Sequence, residues 1–200
     1  MSAGAAAYPM DPRPEPVRGK PLVSNGVVGM LLFIFAEMMF FAGLISAHTI
    51  VKAQSAGGMW PPYGQPRLPI EQTAVNTAAL LVSGIVLLLS WFAFKREPSS
   101  ARIPLALSIL LGGFFVYAQG QEWIALLGEG LTIQSSSYGG FFYLIVGAHA
   151  LHAIGAIGAL AWAWHRLYKG ALTSNQLATV AAFWYFVVLL WPLLYLQVYL

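Results

Sequence analysis

Five long runs of apolar residues, separated by short polar connections, fill the chain from residue 26 to its end. They show no alternation of apolar and polar positions, and each exceeds the ~20 residues that a membrane-spanning helix needs. A transmembrane β-strand would need only about half that length. The pattern therefore predicts an all-α, polytopic membrane protein with five transmembrane helices. The predicted helices cover residues 26–51, 72–94, 102–127, 138–166 and 175–200.

Composition supports a bundle surrounded by lipid. Hydrophobic residues make up 58% of the 200 residues and charged residues only 8%, a balance that a soluble domain of this size does not reach. The chain has no cysteine, which excludes disulfides, thiolate metal sites and a cysteine nucleophile. No glycine-rich phosphate loop, nucleophile motif or basic nucleic-acid patch stands out, so no nucleic-acid partner is predicted.

The distribution of Lys and Arg predicts the orientation, because short cytoplasmic loops retain these residues. Eight of the ten lie before the first helix or in the second-to-third and fourth-to-fifth connections, against only Lys52 and Arg67 on the other side. The N-terminus is therefore predicted inside and the C-terminus outside.

Residues 1–25 contain five prolines among small and charged residues, a composition typical of an extended segment. We interpret this stretch as a Pro-rich cytoplasmic arm that precedes a transmembrane bundle of residues 26–200. A signal peptide is the competing interpretation, but its apolar core would be only ~7–15 residues long.

Glu37 is the most informative polar residue, since an ionisable side chain in mid-membrane is costly. It lies eleven residues inside the first run, or ~16 Å from the inner end at about 1.5 Å per residue. Two interpretations stay open at this point. The carboxyl is either a neutral group bonded to a neighbouring helix or part of a proton relay.

His149 and His152 lie three residues apart on the fourth helix, on one face and at a depth close to that of Glu37. A haem ligated by two histidines needs them on opposing helices, and His48 and His165 lie near helix ends. A carboxylate-bridged metal site would need more acids than Glu37 supplies. We therefore predict no catalytic, cofactor-binding or metal-ligating residue in this chain, and a buried hydrogen-bonded cluster of Glu37, His149 and His152.

A second set of polar positions is predicted to make interhelical or interfacial contacts. Gln119 and Glu122 share a face of the third helix, and Glu122 lies near its outer boundary. Asn76 on the second helix is suited to an interhelical hydrogen bond. Trp60, in the proline-rich loop after the first helix, is suited to anchoring at the membrane interface.

Several segments of the chain are similar to a known family. They are residues 29–43 (GMLLFIFAEMMFFAG), Trp60-Pro61-Pro62, Asn76-Thr77, Gln121-Glu122-Trp123, residues 138–142 (YGGFF) and residues 147–152 (GAHALH). In order and spacing they resemble subunit III of the haem-copper oxidases, of the cytochrome c oxidase type. The chain looks like the shorter, five-helix prokaryotic form, whereas organellar members typically have seven helices.

The resemblance implies a non-redox subunit of a respiratory terminal oxidase in the bacterial cytoplasmic membrane. The partners that it implies are subunit I, which holds haems and copper, subunit II, which accepts electrons from cytochrome c, and a small subunit IV. It also implies bound phospholipid and support of oxygen access and of proton uptake by subunit I. Glu37, His149 and His152 match family positions.

One helix departs from the family pattern. The last helix of the family usually reads Trp-His-Phe-Val-Asp, and this chain has Trp184-Tyr185-Phe186-Val187-Val188. Tyr185 and Val188 thus stand where the family has histidine and aspartate. The resemblance implies no role for those two family side chains here.

Three other functions compete with this one. An accessory subunit of a quinol oxidase or nitric oxide reductase would share the helix plan. A stand-alone proton-coupled transporter could use Glu37 and the histidines, although the sequence shows no internal repeat. A membrane metal enzyme would require a metal that depends on His149 and His152.

Overall fold

A computed structural model describes residues 24–55 and 59–200. The Pro-rich arm predicted for residues 1–25 lies outside the described residues except for its last two. Within the described ranges the secondary structure is entirely helical and includes five helices long and apolar enough to cross a membrane. The predicted fold class is confirmed.

The five helices are separated by connections of five to 16 residues. Their bounds are α1 Asn25–Ala53, α2 Ile70–Arg96, α3 Arg102–Gly128, α4 Ser137–Tyr168 and α5 Ser174–Leu194. A short 3₁₀ turn, Pro98–Ala101, leads into α3, and a π-helical turn, Tyr195–Tyr199, continues α5 beyond Pro192. Proline cannot donate a main-chain hydrogen bond, which accounts for a change of helix geometry near it.

Side chains at the N-termini of three helices define where they begin. The Ser136 hydroxyl accepts a hydrogen bond from Gly139 N–H at 3.1 Å, and Ser24 caps α1 in the same way. At α5, Gln176 N–H donates to Thr173 Oγ1 at 3.3 Å while Thr173 N–H donates to Gln176 Oε1 at 3.1 Å. These contacts satisfy N–H groups that the first helical turn leaves without partners.

Helix α5 lies at the centre of the bundle and α1 at its edge. The most extensive packing is between α2 and α3 and between α4 and α5, which confirms that these pairs are neighbours, as their short connections predicted. Helix α5 also packs against α1 and α2. In contrast, α1 buries only Phe41 and His48 among its 29 residues. Most of α1 is therefore available to lipid or to another protein.

A glycine allows α3 and α5 to approach closely. A Cβ atom at Gly112 would lie 2.5 Å from Cη2 of Trp184, an indole that is fully buried. Because such a distance is far inside van der Waals contact, only glycine fits opposite this ring.

The two ends of the bundle are fixed by contacts between helix termini. At one end the Tyr195 hydroxyl donates to the carbonyl oxygen of Ile70 at 3.1 Å. This end also contains the α1–α2 and α3–α4 connections and is here called the α1–α2 end. At the other, the α2–α3 end, Trp164 Nε1 donates to the carbonyl oxygen of Arg102 at 3.1 Å. The assignment of these ends to the outer and inner faces of the membrane stays a prediction from charge.

Candidate functional site

Glu37 and His152 meet between α1 and α4. Glu37 Oε2 lies 3.1 Å from His152 Nε2, and the two side chains are 21% and 17% exposed. The His152 ring is surrounded by phenyl groups with centroids 5.5–6.3 Å away, those of Phe33, Phe41, Phe183 and Phe186. The structure thus places an ionisable pair in an apolar setting, near the middle of both helices.

The hydrogen bonds of His152 determine where a proton can reside. Nδ1 lies 2.7 Å from the carbonyl oxygen of Ala148, which can only accept, so Nδ1 carries a hydrogen. The contact between Nε2 and Glu37 then contains one proton, which is held either by the carboxyl or by the imidazolium. The distance of 3.1 Å between the two side chains allows them to share this proton.

His149 is not hydrogen-bonded to this pair, in contrast to the cluster predicted from the sequence. Residues three apart on a helix point about 60° away from each other, and His149 faces α3 and α5 instead of α1. Its ring is 1% exposed and lies 4.9 Å from the Trp191 ring and 6.2 Å from that of Phe115, between centroids. Within residues 24–55 and 59–200 neither ring nitrogen has a hydrogen-bond partner.

Glu122 is the centre of a second polar site, between α2 and α3. Its Oε1 accepts from Asn76 Nδ2 at 2.7 Å, and its Oε2 accepts from Thr73 Oγ1 at 2.9 Å and from Gln119 Nε2 at 2.7 Å. Gln119 Nε2 also donates to the Tyr199 hydroxyl at 2.8 Å. These five residues, here called the Glu122 cluster, are all less than a tenth exposed. The cluster links α2, α3 and the π-helical turn.

Three members of this cluster were predictable from the sequence and two were not. Asn76, Gln119 and Glu122 were predicted to make interhelical or interfacial contacts, and the structure brings them together. Thr73 and Tyr199 were missed. Thr73 could have been predicted as a member, because it lies three residues before Asn76 and hence on the same helical face. Tyr199 had none, since it is remote in sequence and one of many aromatic residues.

Trp60 packs at the α1–α2 end. Its ring centroid lies 5.5 Å from that of His48 and 5.3 Å from that of Tyr138, both with edge-to-face geometry. These contacts tie the α1–α2 connection to the ends of α1 and α4. In the part of the chain that the structure describes, no group of three or more His, Asp or Glu side chains could hold a metal ion.

Comparison with known proteins adds an independent finding. The sequence pattern of the family described as Cytochrome c oxidase subunit III matches residues 18–200. The chain belongs to this family. The resemblance noted from its motifs is thereby confirmed, and this subunit III is a non-redox, multi-pass membrane subunit of a haem-copper oxidase, an oxidoreductase complex.

The relatives of this subunit III include bacterial and animal proteins. It is 34% identical over 176 residues to a probable cytochrome c oxidase subunit 3 of Mycobacterium leprae, and 34% identical over 177 residues to one of Nocardia farcinica, with 86% of each chain covered in both comparisons. It is 32% identical over 188 residues to cytochrome c oxidase subunit 3 of Oryctolagus cuniculus, with 90% of this chain and 71% of the rabbit protein covered.

Tyr185 and Val188, the two residues at which the motif resemblance fails, lie at the contact between α5 and α2. In this subunit III the Tyr185 hydroxyl donates to the carbonyl oxygen of Gly84 at 3.3 Å. Val188 packs beside it, with Cγ1 3.1 Å from where a Cβ at Gly84 would lie. A long phenol and a compact aliphatic side chain thus occupy this contact.

Proposed function

We propose that this subunit III packs against the catalytic subunit I of a cytochrome c oxidase and supports its stability and sustained turnover. Subunit I holds haems and copper, and subunit II receives electrons from cytochrome c. The observation that carries the proposal is the partly exposed Glu37–His152 pair on α1, the least buried helix.

Exposure of this pair favours a protein neighbour. Polar groups inside a membrane are costly when hydrocarbon is their only surroundings, and such residues normally face protein or a water-filled cavity. Glu37 lies beside strongly exposed apolar residues of α1, among them Met38 and Met39. A neighbouring subunit on this side would cover the pair and the apolar surface together.

The same arrangement supports the finer roles that we propose. Phospholipid would fill the remaining space beside α1, and oxygen, which is apolar, could approach subunit I through that lipid. The Glu37–His152 pair can hold one proton, which suits support of proton uptake. A small subunit IV completes the proposed partners, and the chain lies in the bacterial cytoplasmic membrane with its N-terminus inside.

Replacement of Glu37 by Gln tests this role in the whole oxidase. We expect unchanged haem spectra, because the proposal places the haems in subunit I, together with weaker retention of subunit III or faster loss of activity during turnover with cytochrome c. Gln keeps the shape of the side chain but cannot hold the transferable proton. Haem spectra, subunit stoichiometry and inactivation rate are the measurements.

Glu71→Gln is the matched control. It removes the same charge from an exposed position in the first turn of α2 and should behave as wild type. If Glu37→Gln assembles, turns over and inactivates like this control, the proposed role of the pair is wrong. Higher turnover with quinol than with cytochrome c would instead identify the complex as a quinol oxidase.

A further inference from the structure

An open groove of about 460 Å³ lies between α2 and α3, on a surface that the proposed contact of α1 does not use. Val75 of α2 and Tyr117 and Gln121 of α3 are exposed in it. Glu122 also lines the groove, but its two carboxyl oxygens accept hydrogen bonds inside the Glu122 cluster. The polar groups that the groove offers to another molecule are therefore those of the exposed side chains.

Tyr117 lies at an unusual depth for a tyrosine that faces away from the bundle. Helix α3 spans Arg102–Gly128, so Tyr117 is two residues, or ~3 Å along the axis, from the middle of the helix. Helical side chains tilt toward the N-terminus, which keeps this phenol near the middle. It is 66% exposed, and its hydroxyl has no hydrogen bond within residues 24–55 and 59–200. Tyrosines at lipid-facing positions concentrate instead at the membrane interface.

Gln121 repeats this arrangement one turn further along α3. It follows Tyr117 by four residues, on the same face, and lies ~9 Å from the middle of the helix, inside the ~15 Å half-thickness of the hydrocarbon. Its amide is exposed and has no hydrogen bond among the described residues, whereas the inward-facing Gln119 donates to Glu122 and Tyr199. Because polar groups are costly in hydrocarbon, the two side chains call for a partner that can hydrogen-bond them.

The shape and the chemistry of the groove favour a helix as that partner. Lipid tails offer neither donors nor acceptors, so they leave Tyr117 and Gln121 unsatisfied. Ala118 and Ala125, seven residues apart on α3, also line the groove, and small residues allow another helix to approach closely. A groove between two helices accepts the ridge of a third. A second copy of this chain, related by a two-fold axis along the membrane normal, would place groove against groove and fill neither.

The groove and α1 lie on different sides of the bundle. Helix α1 packs against α4 and α5, whereas α2 and α3 pack extensively against each other. A subunit that covers α1 would therefore not cover this groove, which requires a partner of its own.

We infer that the groove binds a single transmembrane helix of a small partner subunit, whose polar side chains hydrogen-bond Tyr117 and Gln121. The inference deepens the proposed function, on which it rests for the presence of a small subunit, by naming the surface and the chemistry of that contact. One interhelical hydrogen bond in a membrane corresponds to about a threefold gain in affinity, so loss of both should weaken binding about eightfold.

A photo-cross-link from the groove identifies its occupant. Tyr117→p-benzoylphenylalanine is introduced into the whole oxidase, the membranes are irradiated, and the purified complex is analysed by mass spectrometry. We expect a cross-link to a subunit with one transmembrane helix. Tyr168→p-benzoylphenylalanine is the control, because Tyr168 is 64% exposed at the end of α4, away from the groove, and should give no cross-link to that subunit.

Retention of the small subunit during detergent dilution, counted by native mass spectrometry, measures the contact itself. Tyr117→Phe/Gln121→Leu should weaken retention about eightfold, and Ala118→Leu, which fills the groove, should also weaken it. Ala161→Leu adds the same bulk at an exposed position of α4 and should behave as wild type. Unfolding of the isolated chain should be unchanged by Tyr117→Phe, which separates a lost contact from a damaged fold.

Three results would overturn the inference. A cross-link from position 117 to lipid alone would show that hydrocarbon covers the groove. A cross-link to a second copy of this chain would identify a dimer contact. Wild-type retention of the small subunit in both Tyr117→Phe/Gln121→Leu and Ala118→Leu would exclude the groove as its binding surface. None of these results bears on the contact of α1 with subunit I, whose failure would appear in the Glu37→Gln variant instead.

Discussion

Two glutamates in this bundle have opposite surroundings. Glu122, between α2 and α3, is 6% exposed and accepts hydrogen bonds from three side chains. Glu37, on α1, is 21% exposed and has a single partner, His152, among the residues that the structure describes. One carboxyl is satisfied entirely within the chain, and the other is left partly open in an apolar environment.

A carboxyl inside the bundle can either stabilise the fold or contact a partner, depending on how many donors surround it. The Glu122 cluster joins three segments, and its hydrogen bonds occupy both carboxyl oxygens of the acid. The Glu37–His152 pair joins two helices only, at the edge of the bundle. We therefore assign internal stability to Glu122 and external contact to Glu37, as a proposal that stability measurements can test.

Replacing each glutamate by Leu in the isolated subunit should separate these assignments most strongly. Glu122→Leu removes the acceptor of three hydrogen bonds and leaves the Asn76 amide without a hydrogen-bond partner among the described residues, so we expect the free energy of unfolding to fall by about 2–4 kcal/mol. Glu37→Leu removes one bond at a partly exposed site and should cost about 1 kcal/mol or less. Unfolding in mixed detergent micelles measures both.

In the whole oxidase the order of effects should reverse for retention of subunit III, where Glu37→Leu should be the more harmful change. Glu71→Leu serves as the control for loss of an acid from α2 without loss of a described hydrogen bond. Equal costs for Glu122→Leu and Glu37→Leu in the isolated subunit would remove the distinction between the two sites.

The centre and the edge of the bundle also differ in how tightly their helices pack. Gly112→Ala on α3 places a methyl group against Trp184, and relief of that overlap should cost about 1–3 kcal/mol of unfolding free energy. Gly43→Ala on α1 meets no atom within 4 Å and should be neutral or stabilise the helix by about 0.5–1 kcal/mol.

Both glycine variants change one methyl group in a transmembrane helix, so each controls for the other. Thermal unfolding of the isolated subunit is the measurement. A neutral Gly112→Ala would mean that α5 can move away from α3 at little cost, and that the centre of the bundle is no tighter than its edge.

The helices were predictable from the sequence because bilayer thickness sets a minimum length for a spanning helix, and each apolar run exceeds it. Neighbouring pairs followed from connection length, since a short loop returns the chain beside the helix just completed. Sequence position also identified Glu37 and His152, because a polar residue inside an apolar run is conspicuous.

The orientation of individual side chains was less predictable. Depth and helical face suggested that His149 would join His152, but a 60° difference in direction turns it toward Trp191 instead. Tyr199 reaches Gln119 only because α5 continues into a π-helical turn. Such contacts depend on helix rotation and on local geometry near a proline, which periodicity alone does not determine.

A still smaller change in stability is expected at Tyr185, whose hydroxyl donates to the carbonyl oxygen of Gly84 on α2. Tyr185→Phe keeps the ring against α2 but removes the hydroxyl that donates to Gly84, so the unfolding free energy should fall by about 0.5–1 kcal/mol. Tyr117→Phe is the control, because Tyr117 is exposed on α3 and its hydroxyl has no hydrogen bond within the described residues. Equal unfolding curves for the two variants would show that this long hydrogen bond adds nothing. A measurable difference would mean that tyrosine maintains the α5–α2 contact at this position by a link to the α2 main chain.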